Sequence, residues 1–309
     1  MHNRPARWKT LLAFAIIYLV WGSTFLAIRV GVHEVPPFLL AAMRFFVAGL
    51  VLYLWTIIRG ERSPSARQWI AAFFIAFTIF DLDYGLLFWA EQRVPSGLAA
   101  VMLTTIPVFM ALSEVVLLRT QKLTARLSSA LAIGIAGVAV LMSRSVHLGG
   151  EPIDPKGAMA LIIAALSWSV SSALIRKLPL PESKVMSSGV QMLAGGIWLV
   201  LTSAALGEFR GFHPATVSKA AWLSLLYLIV AGSIVGFTAY IWLLHHQSPT
   251  KVGTYAYVNP VVAVCLGYFL AGETLGLRTL LGTGFVLLSV IVITTAPAKK
   301  PVMALEEAG

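Results

Sequence analysis

Ten stretches of about 20 predominantly apolar residues constrain this chain more than any other feature. Folded as a helix, each stretch spans the roughly 30 Å hydrocarbon core of a bilayer at about 1.5 Å per residue. They run over 9–29, 36–58, 68–90, 95–118, 124–142, 154–176, 184–206, 219–244, 250–271 and 277–296. The connections between them are too short to hold a soluble domain. Transmembrane strands would alternate apolar and polar residues over runs of about 10, whereas these stretches are apolar on every side. The expected fold class is an all-α membrane protein with ten transmembrane helices.

Prolines and caps mark most of the helix starts: Pro36-Pro37, Pro95, Pro179 to Pro181, Pro249, and Asp154-Pro155-Lys156. The first stretch is read as a retained helix. Arg4, Arg7 and Lys9 could head a signal peptide, but the apolar run to Ile28 is too long and no A-x-A-like site closes it. Only 12% of the residues are charged, about half the usual share. The net charge of +10 is carried by short Lys and Arg clusters between apolar runs, a pattern that orients helices rather than binding nucleic acid. The lone Cys265 lies inside an apolar run, so neither a disulfide framework nor a cysteine metal site is expected, and no cofactor motif is present. The expected partners are the lipid bilayer and a small-molecule substrate, for a monomer or homodimer.

Ten crossings place both termini on one side. With cytoplasmic termini, that side carries about 15 Lys and Arg residues against about 7 on the other, a bias that makes both ends cytoplasmic.

The chain also repeats itself. Leu19-Val20-Trp21 to Ile28-Arg29 matches Leu166-Ser167-Trp168 to Ile175-Arg176 at an offset of about 147 residues. The same offset carries Arg44 onto Gln191 and Gly49 onto Gly196; further along it drifts by a few residues, bringing Pro95 near Pro249 and Pro107 near Pro260. The expected units are an N-terminal segment 1–8, a five-helix repeat 9–142, a linker 143–153, a second five-helix repeat 154–296 and a tail 297–309. An odd number of crossings per unit forces the second copy to insert upside down. Inverted repeats of this kind build secondary transporters that bind substrate near the midplane between the halves.

Four segments carry a family resemblance: Trp21-Gly22-Ser23, Met43-Arg44-Phe45, Val94-Pro95-Ser96-Gly97-Leu98-Ala99-Ala100, and Tyr255-Ala256-Tyr257-Val258-Asn259-Pro260-Val261 followed by Gly272-Glu273-Thr274-Leu275. In their order and spacing the chain resembles the EamA-type ten-helix transporters of the drug/metabolite transporter superfamily, in particular the YedA-like members, over about residues 10–296. The resemblance implies a carrier of the bacterial inner membrane, often an exporter of small metabolites or amphipathic drugs, and leaves the substrate open.

Ionisable groups inside apolar spans are costly and therefore functional candidates. Arg44, Asp81, Asp83 and Glu114 qualify. Arg44 and Asp83 lie at similar depth, so a buried pair is expected, serving either structure or transport. Asp81 and Asp83 diverge by about 200° on an α-helix. Asp81 shares a face with Tyr84 and Phe88, which makes Asp81 the expected cavity residue and turns Asp83 toward Arg44. Either acid is a candidate to carry a proton and couple transport to the proton gradient. Glu114, near the end of its span, is expected to snorkel toward Arg119.

Trp21 and Trp168 stand mid-span at equivalent points, where ligand contact and core packing both fit, unlike the tryptophans at span ends, which read as interface belts. Tyr255 and Asn259 share a face beside Pro260, and Pro107 follows Thr104 and Thr105, so both halves are expected to hold a proline-distorted helix that frees backbone groups for a cavity or simply aids packing. The expected substrate-binding set is Trp21, Arg44, Asp81, Tyr84, Trp168, Gln191, Tyr255 and Asn259. The adjacent His245 and His246 point about 100° apart and do not suggest a metal. Gly134, Gly137, Gly282 and Gly284 suit close helix contact within the chain or between copies. An intramembrane enzyme using Asp81 and Asp83, and a channel, are the alternatives; no H-E-x-x-H motif, ATP-binding loop or filter repeat supports them.

Overall fold

In a bilayer every backbone N–H and C=O must be bonded within the chain, and an apolar run meets that demand as a helix. The computed structural model describes residues 6–119, 124–142, 154–247, 252–253, 255–271 and 276–294. Within them lie ten long helices: α1 (Arg7–Val32), α2 (Pro37–Ile58), α3 (Ala66–Glu91), α4 (Ser96–Leu118), α5 (Ala125–Met142), α6 (Pro155–Leu174), α7 (Lys184–Ala205), α8 (Lys219–His246), α9 (Tyr255–Ala271) and α10 (Leu277–Thr294). Seven of these, α1–α4 and α6–α8, are long and apolar enough to cross a membrane, and α5, α9 and α10 contain shorter apolar stretches.

Local chemistry fixes the helix starts. Pro37 and Pro155 occupy first-turn positions where no N–H is needed. Asp154 accepts from the Lys156 amide at 2.9 Å, and Ser183 and Ser218 accept from Met186 and Ala221. Ser65 and Gln68 close a reciprocal capping box at the start of α3. The expected start at Pro249, the 143–153 linker and the 297–309 tail lie outside the described residues, as does the Glu114 side chain.

The two five-helix halves interlock. Helix α1 packs on α8 and α9 of the other half; equivalently, α6 packs on α3 and α4, while α2 pairs with α7 and α5 with α10. The α2–α7 crossing reveals the symmetry atom by atom. A Cβ on Gly196 would lie 2.6 Å from the Phe46 Cα, and one on Gly49 would lie 2.7 Å from the Leu193 Cα. Gly49 and Gly196, like Phe46 and Leu193, are repeat equivalents, so this is a self-complementary, antiparallel contact about a two-fold axis. At α5–α10, a Cβ on Gly134 would meet the Ser289 Oγ at 2.8 Å, placing that glycine in packing within the chain, whereas one on Gly284 would meet nothing.

Among the segments that depart from α-helical winding, two correspond between the halves. Phe77–Gly85 in α3 and Leu228–Phe237 in α8 are wide turns with i→i+5 bonding, at corresponding places in the halves. Such turns occur frequently at functional sites. Each is braced by the first helix of the other half: Trp21 Nε1 donates to the Gly232 carbonyl at 3.0 Å, and Ser167 Oγ donates to the Thr78 carbonyl at 2.7 Å.

At the end of the bundle carrying the α1–α2 loop, two carboxylates clamp the halves. Glu208, after α7, accepts from the Leu39 amide at 2.8 Å and the Phe38 amide at 3.3 Å, capping α2, whose Pro36-Pro37 start has no side-chain cap of its own. Glu34, after α1, accepts from the Ser218 amide and hydroxyl, both at 2.6 Å, at the start of α8. Both acids therefore face the positive end of a helix dipole. The Ser218 hydrogen bonds hold the Glu34 carboxyl below its ordinary 4.5. Because the folded value is depressed, the clamp is complete at neutral pH and is lost as pH falls through that lowered value. Thermal melting in detergent is accordingly expected to show Glu34→Gln less stable than the wild type at pH 7, with the difference closing on acidification.

Candidate functional site

The aromatic residues of the two halves converge where α1 and α6 meet. The rings of Trp21 and Trp168 lie 5.8 Å apart, edge to face, and Tyr240 of α8 stands 5.1 Å from each. Tyr255 of α9 packs edge-on against Trp21 at 5.1 Å, and Tyr84 of α3 meets Trp168 at 5.8 Å. These geometries are favourable for aromatic pairs. Hydrogen bonds fix the cluster: Trp21 to the Gly232 carbonyl, and the Tyr240 hydroxyl to the Ser172 hydroxyl at 2.9 Å. Gly236 leaves room for Trp21, since a Cβ there would lie 3.0 Å from its Cδ1. The Trp168 Nε1 is buried without a hydrogen bond, although the Tyr240 and Tyr255 hydroxyls come near.

Beside the cluster lies a cavity of about 50 Å³. Five of the residues expected from the sequence line it, namely Trp21, Tyr84, Trp168, Tyr255 and Asn259, together with Asp83, Thr24, Leu103 and Ile106. Asn259 can bond only with its amide nitrogen turned inward, where it donates to the carbonyls of Tyr18 at 3.0 Å, Tyr255 at 3.1 Å and Ile17 at 3.3 Å. It ties α9 to α1 while one face borders the cavity.

The two acids exchange the roles expected for them. Asp83 lines the cavity, and Asp81 instead points to α7, where Thr202 is its hydrogen-bonding neighbour. The wide turn is the reason. An α-helix advances about 100° per residue, but i→i+5 winding advances less, and the residues after Phe77 rotate until Asp83 and Tyr84 share the cavity side. The Asp83 carboxylate makes no hydrogen bond or ion pair among the described residues.

Arg44 and Gln191 leave the expected lining as well. Only 1% of Arg44 is exposed, and it forms no ion pair with Asp83. Its Nε donates to the Ser233 Oγ at 2.8 Å, and its guanidinium lies 4.5, 5.1 and 5.8 Å from the ring centroids of Phe45, Tyr84 and Phe88. Space beside its Nη2 exists because position 232 is glycine. Gln191 borders a second cavity of about 200 Å³ near the α6–α7 loop.

The prolines act unequally. Before Pro107 the α4 backbone tightens into an i→i+3 turn over Leu103–Thr105, bringing Leu103 and Ile106 to the cavity. Pro260 sits inside α9, which runs on through it from Tyr255 to Ala271. Sequence reading missed Thr24, Tyr240 and the two wide turns. The run Ala231-Gly232-Ser233, small and weakly helical in mid-span, was the one available signal for the turn in α8.

Known proteins align with this arrangement along most of the chain. Residues 8–143 and 155–295 each match the EamA-like transporter family. The uncharacterized inner membrane transporter YedA of Escherichia coli strain K12 is 37% identical over 298 residues, covering 94% of both chains. The uncharacterized transporter YoaV of Bacillus subtilis strain 168 is 23% identical, covering 89% of this chain and 92% of its own, and protein PecM of Dickeya dadantii strain 3937 is 26% identical, covering 89% and 88%. A crystal structure aligns with a TM-score of 0.65 at 21% identity, covering 94% of this chain and 97% of its own, a likeness of fold alone. With the family matched in both halves and a relative aligned almost end to end, the chain belongs to the EamA-like transporter family and is a membrane transporter rather than an enzyme.

Proposed function

We propose that the chain is a secondary transporter of the bacterial inner membrane that exports a small amphipathic metabolite or drug by alternating access of its two inverted halves. Its likeness to the inner membrane transporter YedA supports the location, and the charge bias between the loops supports cytoplasmic termini. The observation that carries the substrate class is the cavity between the halves: aromatic from both repeats, with Asp83 as the one carboxylate among its described lining residues and Arg44 outside it. Such a surface suits an apolar body carrying a cationic or amino group better than a sugar, which needs many hydrogen-bonding partners. At about 50 Å³ the cavity holds little more than a water molecule, so binding requires the halves to part. Asp83 is also the acid placed to exchange a proton for the solute, which would make export proton-coupled.

Cells overproducing the wild type, challenged with lipophilic cations and toxic amino acids, are expected to gain resistance to at least one compound. Asp83→Asn and Trp168→Ala are expected to abolish it at unchanged protein level, while Asp81→Asn retains it. Resistance that follows Asp81 rather than Asp83, or survives both cavity changes, would place the route elsewhere. Cysteines at Ser63 and Gly211, in a Cys265→Ser background, test the orientation: only Gly211→Cys is expected to react with an impermeant thiol reagent added outside intact cells.

A further inference from the structure

A carbonyl at the end of a helix lacks the N–H that would come from four residues further on. Helix α1 ends at Val32 and α3 at Glu91, and in both cases the residue four further on is proline, Pro36 or Pro95, with no N–H to give. Side chains supply the donors instead, each reaching across from the other helix or its loop. Arg29 of α1 donates from Nη1 to the Glu91 carbonyl and to the Val94 carbonyl, both at 2.8 Å. Gln92, just after α3, donates from Nε2 to the Val32 carbonyl at 3.1 Å. The end of α1 is thus tied to the α3–α4 turn in both directions, at the end of the bundle carrying the α1–α2 loop.

These ties stand directly over the midplane cavity. Phe25 and Leu87 line it, and Arg29 and Glu91 follow each by four residues, one turn of about 5.4 Å nearer that end. Positions four apart share a helix face, so the ties bridge α1 and α3 immediately beyond the cavity wall. The two helices have different main partners, α8 and α9 for α1 and α6 for α3. The Glu208 and Glu34 clamps join α7 to α2 and α1 to α8, and neither spans the gap between α1 and α3.

The ties are also releasable. Arg29 is partly exposed and Gln92 exposed, so water can take over their bonds, an exchange of small net cost. The α2–α7 crossing, where backbone meets backbone, has no such exchange open to it.

We propose that Arg29, seconded by Gln92, is the latch of the outer mouth: its bonds to the α3–α4 turn hold the cavity shut toward the outside, and their release lets α1 and α3 part so that solute leaves. This rests on the proposed alternating access for the existence of a mouth, but not on Asp83 or on the class of solute.

The test places one reporter, Thr24→Cys, in the cavity wall of the full chain carrying Cys265→Ser. Its rate of reaction with an impermeant thiol reagent is measured outside intact cells and, from the inner side, in inside-out vesicles. Arg29→Met, which cannot donate, is expected to raise the outside rate severalfold and to lower the inside rate, because time spent open to one side is time lost to the other. Gln92→Met, at an exposed position where folding is not at stake, is expected to shift both rates the same way by a smaller factor. Arg210→Met removes a positive charge at the same end without touching the α3–α4 turn, and is expected to change neither rate. A rise of both rates, which is what a loosened bundle gives, would overturn the latch, as would unchanged rates in Arg29→Met and Gln92→Met or an equal shift in Arg210→Met. Opposed changes with the two sides exchanged would support the latch and overturn the orientation. Opposed changes alongside transport that ignores Asp83 remove only the substrate reading, and Asp83-dependent transport with unmoved rates removes only the latch.

Discussion

Valine at Gly196 is expected to leave little folded protein in the membrane. The first side-chain atom at that position would sit 2.6 Å from both the amide nitrogen and the Cα of Phe46. The obstacle is backbone, which has no rotamer to move aside, so α2 and α7 must separate along their crossing. Overpacking into a close contact costs about 1–3 kcal/mol when side chains can adjust; a backbone collision belongs at the upper end or beyond. Gly49→Val meets Leu193 in the equivalent way and is expected to do the same damage. Gly211→Val is the control, because a Cβ there meets nothing within 4 Å. Monodisperse yield in detergent and melting temperature are the measurements, and a Gly196→Val protein as stable as the Gly211→Val control would refute the close crossing.

Lysine at Arg44 is expected to destabilise the protein more than methionine does. A buried cation carries a desolvation penalty of several kcal/mol even after relaxation. Arg44 offsets it without a carboxylate. A desolvated cation–π contact contributes up to about 2 kcal/mol, and three rings surround the guanidinium. Its bond to Ser233 adds about 1.5–3 kcal/mol. Lysine keeps the charge but loses the flat group that lies against several rings and bonds Ser233 at once. Methionine gives up the contacts and the penalty together. Thermal unfolding is expected to rank wild type and Arg44→Met close together, with Arg44→Lys well below. A ranking with Arg44→Lys nearest the wild type would mean that an anion pairs with the charge.

That balance also explains why the expected Arg44–Asp83 pair is missing. Depth along two helices was legible from residue counting, but the aromatic surroundings that make an ion pair unnecessary come from Phe45, Tyr84 and Phe88 on two helices. The spans, most helix starts and the Trp21–Trp168 convergence followed from hydropathy, proline position and the repeat. The exchange of Asp81 for Asp83 did not, because assigning faces assumed uniform α-helical winding through Phe77–Gly85. Apolar residues in lipid carry no periodicity that would betray the change, as every face is apolar. Gln191 was placed at the midplane by symmetry with Arg44, but it borders the second cavity instead.

The matching wide turns of α3 and α8 bear on the history of the chain. An i→i+5 turn arises when a helix accommodates an additional residue without losing its axis. Finding one at the corresponding place in both halves, each held by a donor from the opposite half, is most simply explained if the addition was already present in a single five-helix ancestor. On that account the ancestral segment associated with an inverted second copy of itself, the Gly49–Gly196 crossing descends from contact between two identical chains, and the gene fusion joined partners that already fitted.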